Sequence, residues 1–184
     1  MGRGGLELDW KYVAEKKDRL VVALNGLTGI LPWTPSLSLK QFRLACESFG
    51  TTPPSSTAVT DPGFMEWSKK NRCGQAAEWI GTMQKIRSTN RTAQVFDSMQ
   101  KRRMPNGRMA YDLKYFGAST GRWSGGGGLN MQNLNRTAAE GVDIRRAIIA
   151  SPGCRLVVAD YSQIESRVIL YLAGDWESLS MFRE

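Results

Sequence analysis

The sequence predicts an α+β chain, helical over roughly its first hundred residues and turning into the start of an α/β unit after that. Three observations carry this. Apolar residues recur at helical spacing from Trp10 to Leu27 and again from Ala76 to Met99. After Pro105-Asn106-Gly107 the period stops, and Gly, Asn, Gln and aromatic residues take over. A short apolar run, Leu156–Ala159, then ends on Asp160, and helical spacing resumes at Ile164.

The first helix is expected over 9–28. Asp9 can cap it, and Trp10, Val13, Lys17, Leu20, Val21, Leu24 and Leu27 form its stripe, with Gly26 and Gly29 at a fraying end. Pro32 and Pro35 make 30–37 a connection. Leu39, Phe42, Ala45 and Phe49 give a short second helix that Gly50 stops. Residues 50–60 are rich in Pro, Ser and Thr and read as a loop. Asp61-Pro62 places a cap before a first-turn proline, so a helix can start there.

A long helix follows over 75–102. Ala76, Trp79, Met83, Ile86, Ala93, Phe96 and Met99 trace one face, and Lys85, Arg87, Arg91, Lys101, Arg102 and Arg103 lie mostly off it. Those charges read equally well as a solvated face or as a surface for DNA. Arg155–Asp160 has the composition of a buried strand, and Ile164, Val168, Leu172 and Leu179 restore a helical period.

Charge narrows the partners. Lys and Arg exceed Asp and Glu by 8 in a chain of 184 residues. Each cation that meets a phosphate releases a condensed counterion, so nucleic acid is the first candidate partner. No stretch has the length of a membrane span and no signal-peptide core opens the chain, so a cytoplasmic protein is expected. Cys46, Cys73 and Cys154 are scattered and read as reduced thiols. The sequence has no His, which argues against serine-triad, cysteine–histidine and His-ligated zinc chemistry. Catalysis would have to use carboxylates, amines, hydroxyls or an oxygen-held metal.

Two segments carry chemistry. The first is Asp160-Tyr161-Ser162-Gln163-Ile164-Glu165-Ser166-Arg167. An apolar run delivers a carboxylate to its C-terminal end, where α/β sheets bind ligands. Such a carboxylate can hold Mg²⁺, which takes its remaining ligands from phosphate and water. Taken alone, Asp160 reads more readily as a helix N-cap. The second is Tyr115-Phe116-Gly117-Ala118-Ser119-Thr120-Gly121-Arg122-Trp123-Ser124, a glycine run, and Asn130-Met131-Gln132-Asn133-Leu134-Asn135-Arg136. A glycine run alone reads as a flexible loop, and no Gly-Lys-Ser/Thr follows to make a nucleotide cradle.

Taken whole, the octapeptide resembles motif A of family A (DNA polymerase I-like) DNA polymerases, D-Y-S-Q-I-E-L-R, and departs from it only at Ser166. The second segment resembles the T-G-R-(L/W)-S … N-(L/M)-Q-N-(I/L) stretch that precedes motif A, in a form similar to the bacteriophage and prophage branch. Gly141–Ile149 resembles the I-R-x-A-F-I stretch, and Gly5–Asp9 more loosely resembles the opening of the thumb. The resemblance implies a helical thumb over 5–104 followed by an incomplete α/β polymerase palm over 105–184.

By that resemblance Asp160 is a ligand to two catalytic Mg²⁺ ions, and the carbonyl of Tyr161 helps to hold one of them. Tyr161, Ser162, Gln163, Ile164 and Glu165 bound the nucleotide site, with Glu165 as the steric gate against a ribose 2′-OH and Arg167 in support. Arg122, Gln132 and Asn133 face the minor groove, whose acceptors recur in every base pair, and Arg136 is a further DNA-binding residue. Lys85, Arg91, Lys101, Arg102 and Arg103 grip phosphates. Primer-template DNA and deoxynucleoside triphosphates are the implied partners. Motif B and the His-Asp-Glu of motif C are missing, so the expectation is an enzyme fragment that is inactive alone and completed by a C-terminal part or a second polypeptide. The alternative is a non-catalytic DNA-binding remnant of a truncated phage or prophage gene.

Overall fold

The structure is a computed structural model that describes residues 4–134 and 139–182. Helix α1 runs Trp10–Thr28, with the Asp9 carboxylate accepting from the Tyr12 N–H at 2.9 Å and Gly29 as its C-cap. Gly26 lies inside this helix instead of ending it. Ser38 caps α2, Leu39–Ser48, and Gly50 follows at φ +66°. Asp61 caps α3, Pro62–Lys70, accepting from Phe64 N–H at 2.7 Å. Helix α4 runs Gln75–Lys101. Each of the three caps satisfies an otherwise orphan N–H of a first turn.

Helix α4 serves two cores. Its first half buries Ala76, Trp79, Ile80, Met83 and Ile86 in a cluster with Trp33, Phe42, Cys46 and Phe64. Its second half buries Ala93, Phe96 and Met99 in a cluster with Val13, Leu20, Met109, Leu129, Val142, Ile144 and Ala147. At about 100° per residue the two buried sets lie roughly 140° apart around the helix axis. The face expected from spacing is therefore correct residue by residue, but it is two faces.

The second core joins the opening segment to the chain after α4. Leu6 and Met109 exchange both backbone hydrogen bonds, at 2.9 and 2.8 Å, and Asp9 N–H donates to the Ala147 carbonyl at 2.9 Å. Strands β1, Leu113–Lys114, and β2, Ser124–Gly125, pair antiparallel with Lys114 opposite Ser124. They form a hairpin whose loop is 115–123.

The chain divides into two compact units, 1–149 and 150–184. The second holds α5, Ile164–Ala173, and α6, Trp176–Ser180. Gly174, at φ +73°, ends α5, and Tyr171 meets Trp176 edge-on at 5.4 Å. Asp175 caps α6, and the hydrogen bond from Ser178 N–H holds its carboxyl below the usual aspartate value.

Two expectations fail in this unit. Leu156–Ala159 is neither strand nor buried: Val157 is 87% exposed and Val158 93%. An extended run becomes a strand only when a neighbour takes its N–H and C=O groups, and no described residue pairs with this one. Asp160 is also not a helix cap, because the residue before α5 is Gln163, in a left-handed conformation at φ +53°. No helix among the described residues is long and apolar enough to cross a membrane.

Candidate nucleic-acid interface

The glycine run is ordered by close approach instead of being loose. Gly126 is buried, and its N–H donates to the Asp112 carbonyl at 2.9 Å. A Cβ on Gly126 would lie 2.9 Å from the Asp112 Cβ, and one on Gly125 would sit inside the backbone of Asn130. Here the absence of side chains serves tight packing of protein against protein. It folds residues 126–134 back onto the hairpin. Asn130 then starts a 3-10 turn, Met131–Asn133, its side chain accepting from the Gln132 N–H at 3.1 Å.

This fold-back makes two adjoining clefts. One, of about 400 Å³, is lined by Arg122, Trp123, Ser124, Asn130, Gln132 and Asn133 with Ala118. Arg122 and, ten residues on, the adjacent Gln132 and Asn133 therefore share one wall. The other cleft, also about 400 Å³, runs between α4 and the 128–134 stretch. Ser88, Arg91, Gln94 and Ser98 line it from the helix, and Asn130 and Asn133 from the stretch. Asn130 and Asn133 belong to both. Each cleft carries one arginine with amide and hydroxyl groups, donors for phosphate oxygens and base-edge acceptors, and Val95, Leu129, Leu134 and Ile144 add apolar lining to the cleft on α4.

The remaining basic candidates separate. Lys85 and Lys101 are exposed on α4, but Lys85 lies about 120° around the axis from Arg91. Arg102 points at the hairpin base: its guanidinium is 3.9 Å from the Asp112 carboxylate and lies beside Gly127. Arg103 is stacked over the Trp10 ring at 4.9 Å. Arg136 lies outside the described residues. Asn130, Ser88, Gln94 and Ser98 were not singled out by sequence reasoning. Asn130 stood in the Asn-Met-Gln-Asn segment, and the other three were visible as the polar positions on Arg91's side of α4.

In the second unit the octapeptide forms a turn into α5. Asp160, Tyr161, Ser162, Gln163, Ile164 and Glu165 are all exposed. Arg167 ties the turn together: its Nε donates to the Ser162 carbonyl at 2.9 Å, and its guanidinium lies 4.8 Å from the Phe182 ring centre. The described residues hold no group of three or more Asp, Glu, Cys or His side chains placed to hold a metal ion. The Asp160 carboxylate and the Tyr161 carbonyl are both on an exposed turn, open to solvent. They do not form a closed cage, and they do not by themselves hold a pair of ions.

The sequence profile of DNA polymerase family A matches residues 56–184. The chain belongs to DNA polymerase family A. A family member from Pseudomonas aeruginosa, DNA polymerase I, is 32% identical over 139 residues, which cover 74% of this chain and 15% of that protein. DNA polymerase I from Chloroflexus aurantiacus is 44% identical over 78 residues, 42% of this chain and 8% of that protein. The chain thus spans a small part of the length of these family A relatives. Among solved structures, the POL domain of Pol1 from M. smegmatis in complex with DNA primer-template and dNTP matches with a TM-score of 0.71. The match covers 94% of this chain and 31% of that one at 20% identity, which establishes a shared polymerase-domain fold. The mixed helical architecture with a small sheet agrees with the α+β class.

Proposed function

We propose that this family A chain is the thumb-through-motif A portion of a template-directed DNA polymerase, with the thumb over 5–104 and the palm portion over 105–184. The observation that carries the reading is the shared wall of Arg122, Gln132 and Asn133 beside the Arg91 cleft. Donors on long side chains, clustered in one groove, suit a duplex that must be held without regard to sequence. The M. smegmatis neighbour carries primer-template DNA and dNTP in its own structure, which supports these partners for this chain. The Tyr-Phe-Gly-Ala prefix favours the bacteriophage and prophage branch, and a cytoplasmic location follows from that reading.

In this reading Asp160 and the Tyr161 carbonyl hold Mg²⁺, which supplies charge stabilisation for phosphoryl transfer when bound. Glu165 stands beside the sugar as the gate against a 2′-OH. Arg167 keeps the turn rigid through its bond to the Ser162 carbonyl. The second carboxylate of the ion pair comes from a further polypeptide segment that also carries the triphosphate-binding helix. The chain alone therefore binds primer-template without extending it. The test is primer extension with the 184-residue chain, and with the same chain joined to a family A segment carrying motifs B and C. Extension is expected only from the joined protein. A joined, folded protein that binds duplex but never extends would favour the non-catalytic remnant instead.

A further inference from the structure

We propose that the hairpin loop 115–123 is a base-stacking platform for unpaired nucleotides of a single DNA strand. The inference rests on the nucleic-acid reading above and adds the strandedness of what is held. Tyr115, Phe116 and Trp123 stand just beyond the Lys114–Ser124 pair. Tyr115 meets Trp123 edge-on at 5.1 Å between ring centres, and Phe116 at a tilt at 6.2 Å. They are 75%, 68% and 37% exposed, Trp123 being the least, so the trio belongs to no core. With Tyr115 and Phe116 more than two-thirds exposed, most of their ring surface stays open to solvent, and a cluster of open aromatic surface is the kind of apolar patch that marks a binding site.

The loop holds these rings in place. Phe116 sits at φ +53°, a left-handed conformation that a bulky side chain rarely adopts. Its ring lies against Gly121, where an added Cβ would come within 2.9 Å of it. Ala118 N–H donates to the Arg122 carbonyl at 3.1 Å and Gly121 N–H to the Ala118 carbonyl at 3.0 Å, closing the turn.

The surroundings select the ligand. Lys114 and Arg122, next to Tyr115 and Trp123 in the sequence, are both exposed. Trp123 is shared with the cleft of Arg122, Gln132 and Asn133. Phosphates suit the cations, and only bases outside a duplex present a whole face to the rings. Aromatic faces combined with cations are what sequence-tolerant single-strand binding requires.

The test is a fluorescence-anisotropy titration of this chain with three labelled probes: oligo(dT), an abasic oligomer of equal length, and a blunt duplex. Oligo(dT) is expected to bind at least about fivefold tighter than the abasic strand. Tyr115→Ala combined with Phe116→Gly, a change that keeps the left-handed backbone relaxed, should erase that preference and leave duplex affinity within about twofold. Equal binding of oligo(dT) and the abasic strand, or a base preference that survives the variant, would overturn the proposal. So would a self-associated chain that the variant turns monomeric without any change in strand preference. If the duplex binds but the base preference is missing, this inference alone fails. If no probe binds, the nucleic-acid reading fails with it.

Discussion

Arg91 and Gln132 occupy neighbouring clefts but are expected to do different work. Arg91 is a charge on a helix face, suited to a phosphate, and Gln132 is a neutral donor suited to a base edge. Replacing Arg91 with Gln should weaken duplex binding and lower the slope of log affinity against log salt by about 0.9. Gln132→Ala should weaken binding with no change in slope. Duplex titrations at several salt concentrations separate the two, and a slope that Arg91→Gln leaves intact would remove Arg91 from the phosphate contacts. At this scale the sequence was informative about residue type and poor about direction. Arg102 lies 3.9 Å from the Asp112 carboxylate and Arg103 over the Trp10 ring, neighbours the sequence reading did not foresee. Charge counting is blind to such neighbours, because they come from contacts distant in sequence.

Helices were the most legible elements, because their caps and periods are local. Asp9 and Asp61 cap their helices as expected, and Ser38, not singled out beforehand, caps α2 in the same way. The shift of the buried face along α4 was not legible: it comes from packing against two different partners. Phe96, fully buried where α4 meets α1, is central to the second core. Phe96→Ala should cost about 3–5 kcal/mol in urea unfolding followed by circular dichroism. A loss below about 1 kcal/mol would mean that this core is not closed.

The same two helices are braced by Lys17, which pairs with Asp97 and donates to Gln100 Oε1 at 2.9 Å. The hydrogen bond from Lys17, then its charge, hold the Asp97 carboxyl below its usual value. A carboxyl lowered by folding adds stability above its unfolded pKa and loses it as pH falls through the folded one. Lys17→Met should therefore lower the Tm slightly at pH 7, by no more than roughly 1 kcal/mol equivalent at this exposure. The difference should close as pH falls below about 4. A gap that persists at pH 2 would assign the effect to packing of the lysine stem.

For the whole molecule, the two compact units differ in how they treat apolar surface. Unit 1–149 buries two clusters, while Val157, Val158, Tyr161, Ile169, Leu172, Trp176 and Met181 of the second unit are each more than half exposed. Such a surface promotes association, and an unpaired, exposed backbone is open to proteases. Brief trypsin treatment should cut at exposed Arg155 before any site within α4, and mass spectrometry of the first fragments reads this directly. First cuts within α4 would contradict it. The apolar run before Asp160 read as a buried strand because composition reports what a segment would do beside partners, and no described residue is its partner. The octapeptide 160–167 was readable as one motif because its residues are consecutive, and the structure forms it as an exposed turn into α5.

The most direct measurement is primer extension by the chain joined to a segment carrying motifs B and C, wild type against Asp160→Ala, with duplex affinity measured on the same samples. Asp160→Ala is expected to abolish extension and leave duplex affinity within about twofold, because the proposal assigns Asp160 to the metal and the clefts of the first unit to the DNA. Undiminished extension by Asp160→Ala would contradict it.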